Sequence, residues 1–101
     1  MTAREVESPD VQIIKNSGRR LIAEPFDPAK LRKSIVSACL GSGAPSGYAE
    51  SIARKVVSDV ELWLAKRPEV TSNDLRRIAA QKLKPYHPDA SYLYEQNRST
   101  L

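Results

Sequence analysis

Apolar residues recur with two different spacings along this chain, and the first spacing is that of β-strands. Residues 11–15 and 20–24 form two short runs rich in valine, isoleucine and leucine, and β-branched residues favour extended backbone. The residues between the runs, Asn16, Ser17 and Gly18, suit a tight turn. The pattern predicts a two-stranded antiparallel hairpin, with Lys15 at the end of an edge strand.

A helical spacing follows the hairpin. Pro25 should end the second strand because proline has no amide to donate. Asp27 suits a helix N-cap, and Pro28 suits the first helical position. Apolar residues then recur at helical intervals through residues 28–40. Gly41 is expected to end this helix in the left-handed conformation.

Two longer helical segments come next. Residues 48–66 carry the broadest apolar stripe, on which Trp63 is interpreted as a packing residue because aromatics on such stripes usually pack. Thr71 with Asp74 three residues later is typical of a capped helix start, and Lys84-Pro85 should end that helix. Arg76 near this start favours either a bound anion or a solvated ion pair.

The last predicted helix covers residues 89–98, with Ala90, Leu93 and Tyr94 directed inward. His87 precedes it in a turn and is expected to be exposed. The predicted fold class is therefore α+β and mostly helical, with an N-terminal two-stranded β-hairpin packed on a four-helix bundle.

Composition limits the function more than it selects it. The 101 residues fit one domain, and a single cysteine and a single histidine exclude a disulfide within the chain and a thiolate zinc site. No nucleophile and base pattern is present, so we expect no catalysis. There is no long apolar run and the charged start lacks a signal-peptide core. We therefore expect a cytoplasmic protein without a membrane partner.

Charge is concentrated near the hairpin. The net charge is +4, and residues 15–33 contain six basic residues and two acidic ones. Lysine ammonium groups beside a helix N-terminus suit a ligand with several negative charges. Residues 1–10 lack periodicity and are interpreted as a disordered arm, and residues 99–101 as a C-terminal tail.

The hairpin and the first helix carry a resemblance. Ile13-x-Lys15-x-x-Gly18, then Glu24-Pro25-Phe26-Asp27-Pro28-x-Lys30-Leu31, and later Val-Thr-Ser-Asn-Asp-Leu at residues 70–75 together resemble the ATP-cone family. That family consists of small regulatory modules that bind ATP or dATP, found in ribonucleotide reductases and in the bacterial repressor of reductase genes. The resemblance assigns residues 11–98 to one ATP-cone-like domain.

Two departures from the family pattern stand in the hairpin. The family commonly has Lys-Arg-Asp-Gly at the turn, where this chain has Lys15-Asn16-Ser17-Gly18, so Arg19 or Arg20 would replace the missing arginine. The segment between Gly18 and Glu24 is also about three residues longer than usual. The hairpin should therefore be extended or bulged.

The resemblance implies a set of ligand contacts. Lys15 and Lys30 would contact phosphates, Ile13 would line the adenine pocket, and Glu24 with Asp27 would lie near the adenine edge. Asp27 is also a good helix cap without any ligand. Ser72 and Arg76 would approach the ribose and triphosphate. The complete implied nucleotide-binding set is Ile13, Lys15, Asn16, Arg19, Arg20, Glu24, Asp27, Lys30, Ser72 and Arg76.

The expected function is regulatory: the domain binds ATP or dATP with Mg²⁺ and modulates a ribonucleotide reductase, another protein domain or its own oligomerisation. Two alternatives remain open. One is a nucleic-acid-associated regulator of the reductase-repressor type without its zinc ribbon, in which the basic residues bind phosphodiester backbone. The other is the N-terminal module of a larger reductase or nuclease.

Overall fold

A small sheet and four helices make up the fold, which a computed structural model describes for residues 11–17 and 20–96. The predicted arm, residues 1–10, and the predicted tail, residues 99–101, lie outside these residues. The α+β, mostly helical class is confirmed. In chain order the elements are β1 (Gln12–Ser17), β2 (Arg20–Pro25), α1 (Pro28–Gly41), α2 (Ser46–Leu64), β3 (Glu69–Thr71), α3 (Ser72–Leu83) and α4 (Pro88–Gln96).

The predicted hairpin is present and is extended without a bulge. β1 and β2 pair antiparallel in one continuous register, from Gln12 opposite Pro25 to Ser17 opposite Arg20. The Phe26 amide donates to the Val11 carbonyl, at 3.0 Å, and closes the ladder. Pro25 lies within β2 instead of after it, which an edge strand permits because the missing amide can face away from the ladder.

A third strand, which the sequence analysis missed, changes the position of Lys15. β3 pairs parallel with β1 through Gln12, Ile13 and Ile14, so the strand order is β2-β1-β3. The prediction that Lys15 lies on an edge strand is therefore wrong for the strand, because β1 is central, but the pairing with β3 ends at Ile14 and Lys15 itself pairs only with β2. Since α3 begins directly after β3, this pairing also fixes the N-terminus of α3 beside β1.

All four helices and β1 contribute to one core. Side chains buried to the last few per cent come from every helix, and two buried hydroxyls tie helices together. The Ser34 hydroxyl lies 3.2 Å from the Tyr94 hydroxyl, joining α1 to α4, and Ser91 donates to the Ala80 carbonyl, at 2.7 Å, joining α4 to α3. Trp63 packs half-buried against this core.

The end of α1 and the start of α4 differ from prediction. Gly41 is the last helical residue of α1, and among the described glycines the one with a positive φ, of 93°, is Gly43. A Cβ on Gly41 would lie 3.0 Å from Leu93 Cδ2, so the glycine admits α4 at close range. Leu93 remains 39% exposed, against the inward prediction. His87 is half-buried and its Nδ1 accepts from the Ala90 amide, at 3.3 Å, as a helix cap.

Candidate functional site

A cavity of about 420 Å³ opens between the hairpin and the N-termini of α1 and α3. Its volume lies within the range of small-molecule sites. Residues from β1, β2, α1 and α3 meet here because β3 brings α3 against β1. The cavity is lined by Ile13, Lys15, Glu24, Pro25, Phe26, Asp27, Pro28, Lys30, Leu31, Ser72 and Leu75.

The inner wall of the cavity is apolar. Ile13, Phe26, Leu31 and Leu75 line it, and each is buried with less than a tenth of its surface exposed. Such a wall favours the flat, weakly polar face of a ring system over a compact ion. The core residues beneath hold these side chains in place, so the wall exists before any ligand arrives.

The outer rim of the cavity is charged. Lys15 Nζ lies 3.0 Å from Glu24 Oε1, a diagonal pair on one face of the hairpin, since Lys15 is opposite Ile22 and Glu24 is opposite Ile13. This hydrogen bond raises the pKa of Lys15 and lowers the pKa of Glu24. Lys30 lines the same rim, and its charge also lowers the pKa of Glu24.

Two ammonium groups, those of Lys15 and Lys30, therefore lie at one rim, and Glu24 pairs with Lys15. Lysines have donors and no acceptor, so the Lys15 and Lys30 charges repel each other. An arriving anion would relieve this repulsion. The rim is in this way electrostatically prepared for a ligand that carries more than one negative charge.

Asp27 is the N-cap of α1, as predicted. Its Oδ1 accepts from the Ala29 amide, at 3.0 Å, and from the Lys30 amide, at 3.3 Å. These amides are therefore already engaged, and the positive charge that α1 offers a ligand comes from the Lys30 side chain. Both bonds end on Oδ1, and no described residue donates to Oδ2.

The N-terminus of α3 forms the opposite side of the cavity. Thr71 caps the helix, as predicted, because its Oγ1 accepts from the Asp74 amide, at 3.0 Å. Ser72, the first residue of α3, lines the cavity half-buried. A serine hydroxyl at a helix start can both donate to and accept from a ligand.

The structure brings together six of the ten residues implied by the resemblance and places three others outside the cavity lining. Asn16 and Arg20 are exposed and lie outside the cavity lining. Asn16 is one residue from Lys15 along β1 and so faces the other side of the sheet. Arg19 lies outside the described residues. The six that line the cavity are Ile13, Lys15, Glu24, Asp27, Lys30 and Ser72.

Arg76 lies in a second, smaller cavity of about 270 Å³ with Asn73, Arg77 and Glu95. It donates to Asn73 Oδ1, at 3.0 Å, while Arg77 pairs with Asp74, at 2.8 Å. The Arg77–Asp74 pair agrees with the second alternative for this helix start, a solvated ion pair. Arg76 therefore faces away from the lysine rim.

Three of the four apolar wall residues, Phe26, Leu31 and Leu75, were not among the predicted site residues. Phe26 lies inside the Glu-Pro-Phe-Asp motif and could have been found from it. Prolines on both sides restrict the backbone there, and with it the direction of the phenylalanine side chain. Leu31 and Leu75 carry no such signal, since both belong to ordinary helical stripes. Only the packing of α1 and α3 against β1 makes them neighbours.

Other kinds of site find no support in the described part of the chain. Within residues 11–17 and 20–96, no cluster of three or more histidine, cysteine or acidic side chains could hold a metal ion. The helices of that same part are too short or too polar to cross a membrane.

Comparison with known proteins agrees with the resemblance. The family model for the ATP cone domain matches residues 11–96, which is most of the chain. No solved structure matches the chain significantly.

Relatives in several bacteria carry one name, transcriptional repressor NrdR. The protein from Thermosynechococcus vestitus is 32% identical over 83 residues, covering 82% of this chain and 48% of the relative. The protein from Brucella ovis is 35% identical over 83 residues, covering 82% of this chain and 49% of the relative. The protein from Roseiflexus castenholzii is 27% identical over 92 residues, covering 91% and 57%. The chain thus spans about half the length of the curated relatives it matches.

Proposed function

The chain belongs to the ATP-cone family, and we propose that it binds ATP or dATP in the cavity between the hairpin, α1 and α3. One observation carries the proposal: six residues that the sequence scatters over positions 13 to 72 line a single cavity. That cavity has an apolar wall for a base at one side and two lysines at its rim.

The base would lie on the apolar wall. Phe26 and Ile13 offer it buried contact surface, and Glu24 with Asp27 supply carboxylate oxygens at the wall's edge. A carboxylate accepts from the exocyclic amine of adenine. Guanine presents a carbonyl at the same edge and would meet repulsion, so adenine nucleotides should be preferred.

The phosphates would lie at the rim. Lys15 and Lys30 would each donate to phosphate oxygens, and Ser72 would donate from the start of α3. Binding then exchanges partners: phosphate takes the place of Glu24 beside Lys15, and Glu24 turns to the base. Because that exchange rearranges the hairpin relative to α1, occupancy changes the surface that the domain presents.

Mg²⁺ would enter on the triphosphate. The described residues contain no cluster of acidic side chains, histidine and cysteine that would hold the ion by itself, and Glu24 is already paired with Lys15. The ion would reduce the charge that the two lysines must balance. No residue of the chain is assigned to it.

The biological consequence we infer is regulation without catalysis. Adenine nucleotide would be sensed, and the altered surface would act on a partner such as a reductase domain or on a second copy of the chain. The relatives named as transcriptional repressors support a regulatory role.

Calorimetric titration with ATP, dATP and GTP tests the proposal. We expect micromolar dissociation constants for ATP and dATP, corresponding to about 8 kcal/mol, and at least tenfold weaker binding of GTP. The proposal fails if ATP and dATP at millimolar concentration leave both the heat signal and the melting temperature unchanged.

Nucleic-acid binding is the second candidate, supported by the repressor name of the relatives and by the basic residues around the hairpin. In that case phosphodiester backbone would replace the triphosphate at Lys15 and Lys30, and affinity would fall steeply with salt. Binding of a short DNA duplex in the absence of any nucleotide response would favour this candidate.

A further inference from the structure

The outer edge of β2 is one of the two open edges of the described sheet. β2 lies at one end of the strand order and no described strand pairs with its outer side. Leu21 is 75% exposed and Ile22 is 38% exposed on this strand. An exposed edge with apolar side chains is a template for pairing with another strand. We propose that β2 pairs antiparallel with β2 of a second copy of the chain, centred on Ile22.

The backbone geometry permits this pairing. Because the Phe26 amide donates to Val11 across the ladder, and backbone groups alternate in an antiparallel pair, the groups of Glu24 and Ile22 also point towards β1. The amides and carbonyls of Leu21 and Ala23 then point outward. A two-fold axis at Ile22 sets Leu21 of one copy opposite Ala23 of the other, which forms four backbone hydrogen bonds.

The side chains are complementary in the same register. Arg20 of one copy stands opposite Glu24 of the other, and this occurs twice because of the symmetry. Ile22 stands opposite its own copy. Opposite charges and apolar pairs at directly opposed positions stabilise antiparallel strands. Shifting the register by one residue would remove both charge pairs, so the sequence selects one arrangement.

The pairing also reaches the cavity. Arg20, Ile22 and Glu24 lie on the same face of β2, because every second residue of a strand points to the same side. Glu24 lines the cavity. Arg20 of the second copy would therefore compete with Lys15 for the Glu24 carboxylate and release Lys15 towards a phosphate. Nucleotide binding and pairing should then favour each other. This link alone rests on the proposed function.

The expected dimer is weak. Five paired residues on each side bury much less surface than a stable protein interface, which needs roughly 1,200 Å² or more. We therefore expect a dissociation constant on the order of 100 µM, so that the dimer forms only at high protein concentration or when the domain is tethered.

Charge exchange between two variants tests the pairing without nucleotide. Arg20→Glu places like charges at both ends of the symmetric pair, and so does Glu24→Arg. Sedimentation equilibrium at up to millimolar concentration should find each variant monomeric alone, whereas their equimolar mixture should form a heterodimer at least as tight as the wild-type dimer. Arg54→Glu, on α2, is the control that changes the same charge away from the edge.

A monomeric wild-type protein, or a dimer that both variants leave unchanged, would overturn the pairing. If Glu24→Arg unfolds, hydrogen exchange of the wild-type protein tests the pairing instead. The amides of Leu21 and Ala23 must then exchange more slowly as the protein concentration rises. In a final arm, ATP should tighten the wild-type dimer several-fold. If the dimer forms without ATP and ATP does not alter it, the pairing stands and its link to the cavity is wrong.

Discussion

The helical bundle and β2, the outer strand of the hairpin, use apolar residues in opposite ways. In the bundle, Ile35, Val56, Val60 and Leu83 have none of their surface exposed, whereas Leu21 on the hairpin is 75% exposed. The hairpin also carries a lysine and glutamate pair at the rim of the cavity. The buried apolar side chains of the bundle stabilise the fold, whereas an exposed side chain such as Leu21 does not. The bundle and β1 therefore supply the core, whereas β2 keeps its apolar side chains at the surface.

Truncating a bundle side chain should have the largest effect on stability. Leu83→Ala removes a fully buried side chain at the end of α3 and should lower the free energy of unfolding by about 2–5 kcal/mol. Urea unfolding measures this. Leu21→Ala, on the exposed hairpin face, is the matched control and should change stability by less than about 0.5 kcal/mol. Equal losses would remove the distinction between the regions.

High pH should weaken the bundle through Tyr94. Burial raises the pKa of Tyr94 to about 12, whereas an unfolded tyrosine loses its proton near pH 10. Between these values the unfolded chain binds fewer protons, so stability falls by about 2–3 kcal/mol as the pH rises from 10 to 12. Tyr94→Phe should remove that part of the loss in unfolding experiments, and Tyr92→Phe, at an exposed position, should not.

Single changes at the rim should separate affinity from stability. Lys15→Ala or Lys30→Ala should each weaken ATP binding by about 1–3 kcal/mol, because a charge-assisted phosphate contact is lost. The melting temperature without ligand should change little, since Lys30 is exposed and Lys15 is paired only with a partly exposed carboxylate. A large drop in melting temperature with unchanged affinity would assign both lysines to the fold.

Low pH should give the smallest effect. The hydrogen bond from Lys15 lowers the pKa of Glu24, so this pair stabilises the fold above the pKa of an unfolded glutamate and stops doing so as the pH falls through the lower, folded value. Melting temperatures of the wild type and Glu24→Gln should therefore converge slightly between pH 5 and pH 3. Parallel curves would show that the pair contributes nothing to the fold.

The local chemistry of single elements could be predicted from the sequence. Asp27 and Thr71 cap helices as predicted, because each supplies an oxygen to amides two or three residues on. α1 ends at Gly41, as predicted, but this glycine is helical and not left-handed, and it lies close to Leu93. Gly41 and Leu93 are more than fifty residues apart in the sequence, so the apolar periodicity of each helix does not predict that they meet.

The candidate site depends on the pairing of β1 with β3, which no pattern in the sequence predicts. Glu69-Val70-Thr71 is only three residues long and has no hairpin partner nearby. Its parallel pairing with β1 moves Lys15 to a central strand and brings Ser72 to the cavity. The resemblance supplied the residues of the rim, but the direction of Arg76 into a separate cavity follows only from the orientation of α3.

The central claim is that the cavity between the hairpin and the bundle binds ATP through Lys15 and Lys30. It is tested most directly by the ATP affinity of Lys15→Ala/Lys30→Ala against Lys33→Ala/Lys66→Ala, two exposed lysines outside the cavity lining. Calorimetry at one salt concentration should find binding weakened at least a hundredfold in the first double variant and nearly unchanged in the control. Near wild-type affinity in Lys15→Ala/Lys30→Ala would contradict the claim, even if the protein binds nucleotide elsewhere.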